Sequence, residues 1–380
     1  MIIPFNKPYL TGNEVDYIRD AAARGKLSGN GHYTQLCQNY FEKKYGFGKC
    51  LLTTSCTDAL EMCAMLLDIQ PGDEIIIPSY TFVSTALAFD REGAVIRFVD
   101  SRADHPGMNE SEIESLINPR TKAILVVHYA GVACDMFKIM DIAHRHNLYI
   151  IEDAAHALDG WFTNEKGVKM ALGSIGHLAA FSFHETKNIQ CGEGGMLVVN
   201  HKAFFERAEV LWEKGTDRTS FFRGERNYYT WRDKGSSFLP SEISAAFLWA
   251  QIENLDDIQK RRLQLWNTYY EILSTDAHTS TYTLPKSVSF AHNNAHIFYL
   301  LLTTQSSRDE IIQYLNSLGV WVVFHYICLH TSPYYHLKHD HRVLPHAMRY
   351  MATLIRLPLY YELKFSDIIF ICKHIKACQK

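Results

Sequence analysis

The chain has 380 residues, 47% of them hydrophobic, with a formal net charge of −3. It is long enough for large cores, and it has no basic excess that would call for a nucleic-acid or anionic-membrane partner. Nine cysteines without a CxxC pair do not make a disulfide framework, no run reaches the length of a membrane span, and the first residues lack a leader pattern. A cytoplasmic protein is expected.

Short apolar runs alternate with helical patterns through the first two thirds. CLLTTS precedes DALEMCAMLLDI, EIIIPSY precedes TFVSTALAFDREG, AVIRFVD precedes SEIESLI, and AILVVHYA precedes MFKIMDIAHRHN; LYIIEDAAH and HLAAFSF follow. This order predicts an α/β fold with a mostly parallel sheet covered on both faces. The runs at 179–183 and 196–199 are joined by a loop and predict an antiparallel part of the sheet. Beyond about residue 240 a long helical pattern, SEISAAFLWAQIENLDDIQKRRLQLWNTYYEIL, leads into strand-like HIFYLLLTT and WVVFHYI. The expected division is a large domain over 1–245 and a smaller C-terminal α+β domain over 246–380. The His-rich stretch 325–346 has spacings that match no strong metal-ligand motif, so no metal is expected there.

FSFHETKNIQCGEGGMLVVN sets Lys187 between an apolar run and a glycine cluster. An unperturbed lysine, with a pKa near about 10.4, is almost wholly protonated at neutral pH and is a poor nucleophile or base. Covalent attachment to pyridoxal phosphate is one way to give it chemistry. That cofactor needs a carboxylate for its ring nitrogen, a phosphate cradle and a flat surface for its ring. YIIEDAAHALDG offers Asp153 at a strand end, where ligands of open sheets sit. LLTTSCTDALEM offers Ser55, Cys56 and Thr57 at a helix start, Ser182 adds a hydroxyl, and PSYTFVSTA offers Phe82. Taken singly, Ser55 or Thr57 reads as a helix N-cap, Asp153 as an N-cap or surface carboxylate, Phe82 as a core aromatic and Lys187 as a loop residue. Their joint placement at the strand ends of one sheet favours the cofactor reading.

The set LLTTSCTDALEM, GDEIIIPSYTFVSTA, VVHYAGVACDM, IIEDAAHALDG, FSFHETKNIQCGEGG and VVFHYICLH resembles the DegT/DnrJ/EryC1/StrS family of sugar aminotransferases over nearly the whole chain. The resemblance implies the fold of aspartate aminotransferase, the type I fold of pyridoxal-phosphate-dependent transferases. It also implies a homodimer with active sites at the subunit interface. It matches Lys187 to the lysine that carries the cofactor, Asp153 to the partner of the ring nitrogen, and Ser182, Cys56 and Thr57 to the phosphate contacts. Phe82 is matched to the stacking aromatic and His156 to a polar residue beside the ring.

Ser237, in GSSFLP, stands where many members have asparagine and reach the neighbouring subunit's phosphate; Cys328 replaces a usual proline near the substrate. Ser28, Arg232, His325 and Tyr326 are the candidate substrate contacts. LSGNG reads equally as a turn, and Arg232 as a surface charge. The resemblance points to amination at C4 of dTDP-4-dehydro-6-deoxyglucose by L-glutamate, giving the 4-amino-4,6-dideoxygalactose product for a cell-surface glycan. Amination of a 3-keto sugar, formation of the gluco epimer, and a non-catalytic binding or regulatory role are the alternatives. A same-fold dehydratase would carry histidine in place of Lys187.

Overall fold

The computed structural model describes residues 2–275 and 281–378. Its strands are β1 (Lys49–Thr53), β2 (Glu74–Pro78), β3 (Val95–Val99), β4 (Thr121–Val127), β5 (Tyr149–Asp153), β6 (Trp161–Thr163), β7 (Lys169–Ala171), β8 (Leu178–Ser182), β9 (Gly195–Val199), β10 (Tyr282–Thr283), β11 (Ala291–His292), β12 (Phe298–Leu302), β13 (Val323–Phe324) and β14 (Leu354–Leu357).

Seven of them form one sheet in the order β1-β9-β8-β5-β4-β2-β3. Neighbours from β8 through β3 run parallel, whereas β9 is antiparallel to both β8 and β1, with Phe181 opposite Met196 and Thr53 opposite Gly195. The 179–183 and 196–199 runs thus form the antiparallel pair their short loop predicts. Both faces of the sheet are covered, so the strands read as continuous apolar runs with little alternation; Ile75, Ile76 and Ile77 are all fully buried. One core holds Ile76, Ile124, Ile150 and Phe181, and the other holds Ile75, Ile77, Leu125 and Ile151.

The C-terminal part adds an antiparallel sheet in the order β10-β12-β14-β13, packed on the helix Phe365–Ala377 and the long helix Leu255–Ser274. A small sheet, β11-β6-β7, joins residues from the two parts. The helical pattern after residue 240 resolves into two helices, Glu242–Glu253 and Leu255–Ser274, broken at Asn254. Ala245, Ala246, Leu248 and Ile252 of the first share a core with the large sheet. The division at 245/246 therefore cuts a helix that belongs with the larger part. The change of core occurs along Leu255–Ser274, where Leu255 and Ile258 face the first core and Leu265, Tyr269 and Leu273 face the C-terminal one.

Candidate active site

The carboxyl ends of β1, β2, β5 and β8 and the start of β9 meet at one edge of the sheet. A cavity of about 660 Å³ opens there, roofed by residues from the C-terminal part. Ser55, Cys56, Thr57, Phe82, Asp153, His156, Ser182, Lys187, His325 and Tyr326 all line it.

At the end of β1 the chain turns into the helix Cys56–Leu66. Ser55 is extended (φ −156°, ψ 165°) and its Oγ accepts from Asp58 N at 3.1 Å, so this hydroxyl is used as an N-cap. The N–H groups of Cys56 and Thr57, in the first turn, have no carbonyl within the helix to bond and carry its positive dipole end. Thr57 Oγ1 and Ser84 Oγ lie 2.8 Å apart on the same wall. Gly195 of β9 crosses directly beneath. A Cβ there would lie 2.3 Å from the Ser55 carbonyl carbon and 2.4 Å from Cys56 N, so only glycine allows the strand to approach the cradle.

Asp153 closes β5 and is buried. Its Oδ2 accepts from Thr85 Oγ1 at 2.7 Å and its Oδ1 from Ala155 N at 3.1 Å. Burial raises its proton affinity above the ordinary carboxylate value, and Thr85, Ala155, Lys187 and His128 oppose the rise. Lys187 follows β8 in a turn held by its own N–H to His184 O at 2.9 Å. Burial brings its ammonium down to about 8, with Arg356 pushing the same way and Cys56 and Asp153 opposing. A lysine so placed yields its proton near neutrality, as a nucleophile or proton carrier must.

Phe82 caps the helix Val83–Asp90, and its ring stands 56% exposed at the cavity mouth, 6.1 Å from the Tyr326 ring. His156 is buried, with Nε2 3.4 Å from Tyr326 Oη and Nδ1 lacking a hydrogen-bond partner among the described residues. His325 is fixed by Tyr129 Oη on Nδ1 at 2.9 Å and by the Tyr80 hydroxyl on its carbonyl.

Ser28, Arg232 and Ser237 do not line the cavity of this chain; all three are exposed. Arg232 Nε instead pairs with Asp217 Oδ2 at 2.7 Å. Cys328, expected near the substrate, is fully buried away from the cavity, and burial pushes its thiol up to about 12. In the 325–346 stretch, His330 Nδ1 lies 2.6 Å from Ser79 Oγ, and His339 Nε2 lies 3.1 Å from the Arg342 carbonyl. Among the described residues no group of His, Cys, Asp and Glu is arranged to hold a metal.

Three contributors escaped the sequence reading: Thr85, His296 and Arg356. The last has the clearest sequence signal, a single cation inside the apolar run LIRLPL. Arg356 lines the cavity from β14, lies 4.5 Å over the Phe5 ring, and has a buried Nε without a hydrogen-bond partner among the described residues.

The residues present fit pyridoxal phosphate. Free N–H groups at a helix start suit the phosphate, a buried carboxylate with raised proton affinity suits the ring nitrogen, and a lysine of lowered pKa stands at the same cavity.

Comparisons with known proteins agree. The model of the DegT/DnrJ/EryC1/StrS aminotransferase family matches residues 8–376. The chain is 30% identical over 380 residues to the spore coat polysaccharide biosynthesis protein SpsC of Bacillus subtilis (strain 168), covering 96% of this chain and 94% of that protein. The aminotransferase TlmJ from Streptoalloteichus hindustanus superimposes with a TM-score of 0.90 at 26% identity, covering 100% of this chain and 99% of TlmJ. A putative sugar aminotransferase from Streptococcus pneumoniae, solved with pyridoxal phosphate, shares the fold with a TM-score of 0.90 at 23% identity, over 100% of this chain and 99% of that one. The chain belongs to the DegT/DnrJ/EryC1/StrS aminotransferase family and is a pyridoxal-phosphate-dependent sugar aminotransferase.

Proposed function

We propose that the enzyme moves the amino group of L-glutamate to C4 of dTDP-4-dehydro-6-deoxyglucose, giving the 4-amino-4,6-dideoxygalactose product. The observation that carries an amino-acid donor is Arg356, an arginine on the cavity wall whose buried Nε lacks a hydrogen-bond partner among the described residues. A desolvated guanidinium needs an anion, and a carboxylate is the ligand its fork fits.

Pyridoxal phosphate, when bound, supplies an electron sink for the carbon whose bond to hydrogen is made or broken. Lys187 holds the cofactor and, once released, its amine takes the proton from the donor's Cα. It later returns a proton to the sugar carbon, and the face it delivers from sets the configuration there. Asp153 keeps a proton on the ring nitrogen, Phe82 covers the ring, and the Cys56 and Thr57 N–H groups with Ser182 hold the phosphate. Tyr326 and His325, on the roof of the cavity, orient the sugar.

The working unit in this reading is a homodimer in the cytoplasm. Ser237 and Arg232, remote from their own cavity, serve the site of a second copy. Supporting this, the adjoining segment exposes Phe222 (62%), Tyr228 (71%) and Trp231 (82%), an apolar load unusual for a free surface. Light scattering on the active enzyme should report a dimer; a fully active monomer contradicts it. No helix of the described residues is long and apolar enough to cross a membrane.

The decisive test is NMR identification of the product after incubation with the 4-keto and 3-keto nucleotide sugars and glutamate. An axial C4 amine is expected. Preference for the 3-keto sugar overturns the regiochemistry, an equatorial C4 amine overturns the galacto configuration, and no product from any keto sugar favours the non-catalytic alternative.

A further inference from the structure

Asn188, the residue after Lys187, is 8% exposed, and its side chain bonds to Gln259, Asn294 and His296, all beyond position 250. Its Nδ2 donates to Gln259 Oε1 at 2.7 Å and to the Asn294 carbonyl at 3.0 Å. A carbonyl only accepts, so the amide can have one orientation, and Oδ1 is the atom that meets His296 Nδ1 at 2.8 Å. His296 must therefore carry its proton on Nδ1. Burial holds this imidazole neutral, and His156, Lys187, Arg262 and Arg356 add to the effect.

His296 is itself fixed. Its N–H donates to Asn294 Oδ1 at 3.0 Å, and its carbonyl accepts from Arg262 Nη2 at 2.9 Å. Asn294 Nδ2 donates to the carbonyls of His156 at 2.7 Å and Leu158 at 2.9 Å. Asn294 packs so tightly on Gly131 (φ +77°) that a Cβ there would fall 1.8 Å from its Oδ1. Between Asn294 and His296, Ala295 is left-handed at φ 52°. An alanine in that region is strained, and such strain persists only where the surroundings over-determine the backbone.

We propose that His296 is a positioning residue for Lys187: its Nδ1–H, bonded to Asn188 Oδ1, holds the Lys187 turn against the 293–296 segment, which also fixes the backbone at His156. The two residues are thereby held at one spacing from the C-terminal part of the chain. This rests on Lys187 being the reacting lysine. Without the Nδ1–H, Asn188 Oδ1 is left buried and unpaired, and the turn must shift to find water or another donor.

Three variants separate the roles of the two ring nitrogens. His296→Asn keeps a donor near Nδ1, His296→Gln keeps one only near Nε2, and His296→Ala keeps neither. In cofactor-free protein, labelling of Lys187 by fluorodinitrobenzene across pH, read by peptide mass spectrometry, gives its apparent pKa; wild type should titrate near about 8. Asp153, Cys56 and Arg356 also act on this amine and are unchanged in all three variants. We expect His296→Gln and His296→Ala to move the titration up by about 1 unit as the turn opens to water, and His296→Asn to stay near wild type.

In the loaded enzyme the first two should lose kcat by on the order of a hundredfold with little change in KM, since Lys187 is misplaced and substrates are not. If His296→Ala does not fold, the Asn and Gln pair still decides the matter. Wild-type titration in His296→Gln, with loss in His296→Asn, overturns the proposal in favour of an Nε2 contact to ligand. Wild-type titration in all of them shows that Asn188 is held without His296. The labelling reads the turn whether or not Lys187 carries the cofactor, so failure of that assignment is detected separately, by peptide mapping.

Discussion

Thr85 Oγ1 donates to Asp153 Oδ2 at 2.7 Å and is itself 2.9 Å from Thr81 Oγ1, so a short hydroxyl chain from the β2 end supports the carboxylate at the β5 end. Asp153→Asn should keep this geometry, because the hydroxyls can reverse and accept from the new amide. A neutral amide cannot hold a proton on the ring nitrogen, so turnover should fall by about a hundredfold or more with cofactor still bound. Absorbance for binding and steady-state kinetics for turnover check this; unchanged kcat would mean another group protonates the ring. Thr85→Val should give a smaller loss, about tenfold, by removing one bond to the carboxylate.

Lys187→Ala should bind the cofactor without covalent attachment and lose turnover, since the phosphate and ring contacts remain. Borohydride reduction and peptide mapping of the wild type should place the pyridoxyl group on Lys187. A label on a different lysine sinks the assignment.

Arg356→Gln should raise the KM for the amino donor by about 10- to 100-fold and leave that for the nucleotide sugar nearly unchanged, the range expected for a charge-assisted bond. Equal effects on both substrates would place the guanidinium elsewhere in the reaction.

Gly195→Ala should disturb the cradle itself. Its Cβ must displace the backbone at Ser55 and Cys56, so stability should fall by about 1–3 kcal/mol and cofactor affinity by at least about tenfold. Equilibrium dialysis and thermal melts measure the two effects. Wild-type affinity would show that Cys56 N is not part of the phosphate site.

Beneath the site, Glu152 accepts from Gly173, Ile175 and Gly176 N–H at 2.7, 2.8 and 2.5 Å and from His128 Nε2 at 2.9 Å. The Cys134 N–H donates to His128 Nδ1 at 3.2 Å, so the ring carries its proton on Nε2 and gives it to Glu152. His128→Gln can keep a donor to Glu152 and should lose little stability, whereas His128→Ala leaves a buried carboxylate one bond short and should lose about 1–3 kcal/mol. Urea unfolding of both variants measures this; equal losses would show that the bond to Glu152 is not what His128 contributes.

Much of the sheet and most of the residues at the strand-end cavity were legible in the amino-acid sequence, because local rules govern both. Buried parallel strands read as apolar runs such as EIIIP, and the strand ends carry Ser55–Thr57, Phe82, Asp153 and Ser182 to one edge by topology. Lys187 was conspicuous as a cation between apolar runs. The N-cap reading of Ser55 is what the structure shows, since its hydroxyl accepts from Asp58 N; the phosphate reading of Cys56 and Thr57 stays a proposal that rests on their first-turn N–H groups.

Tertiary structure alone decided which distant residues complete the cavity. Arg356 and His296 lie more than a hundred residues from Lys187, and only the packing of β14 and the 293–296 turn over the sheet edge brings them to it. It also decided that Cys328 is buried, that the helical pattern after residue 240 breaks at Asn254, and that Ser28, Arg232 and Ser237 lie outside this chain's own cavity. Periodicity records which face of an element is covered, but not what covers it; that depends on contacts between segments far apart in the chain.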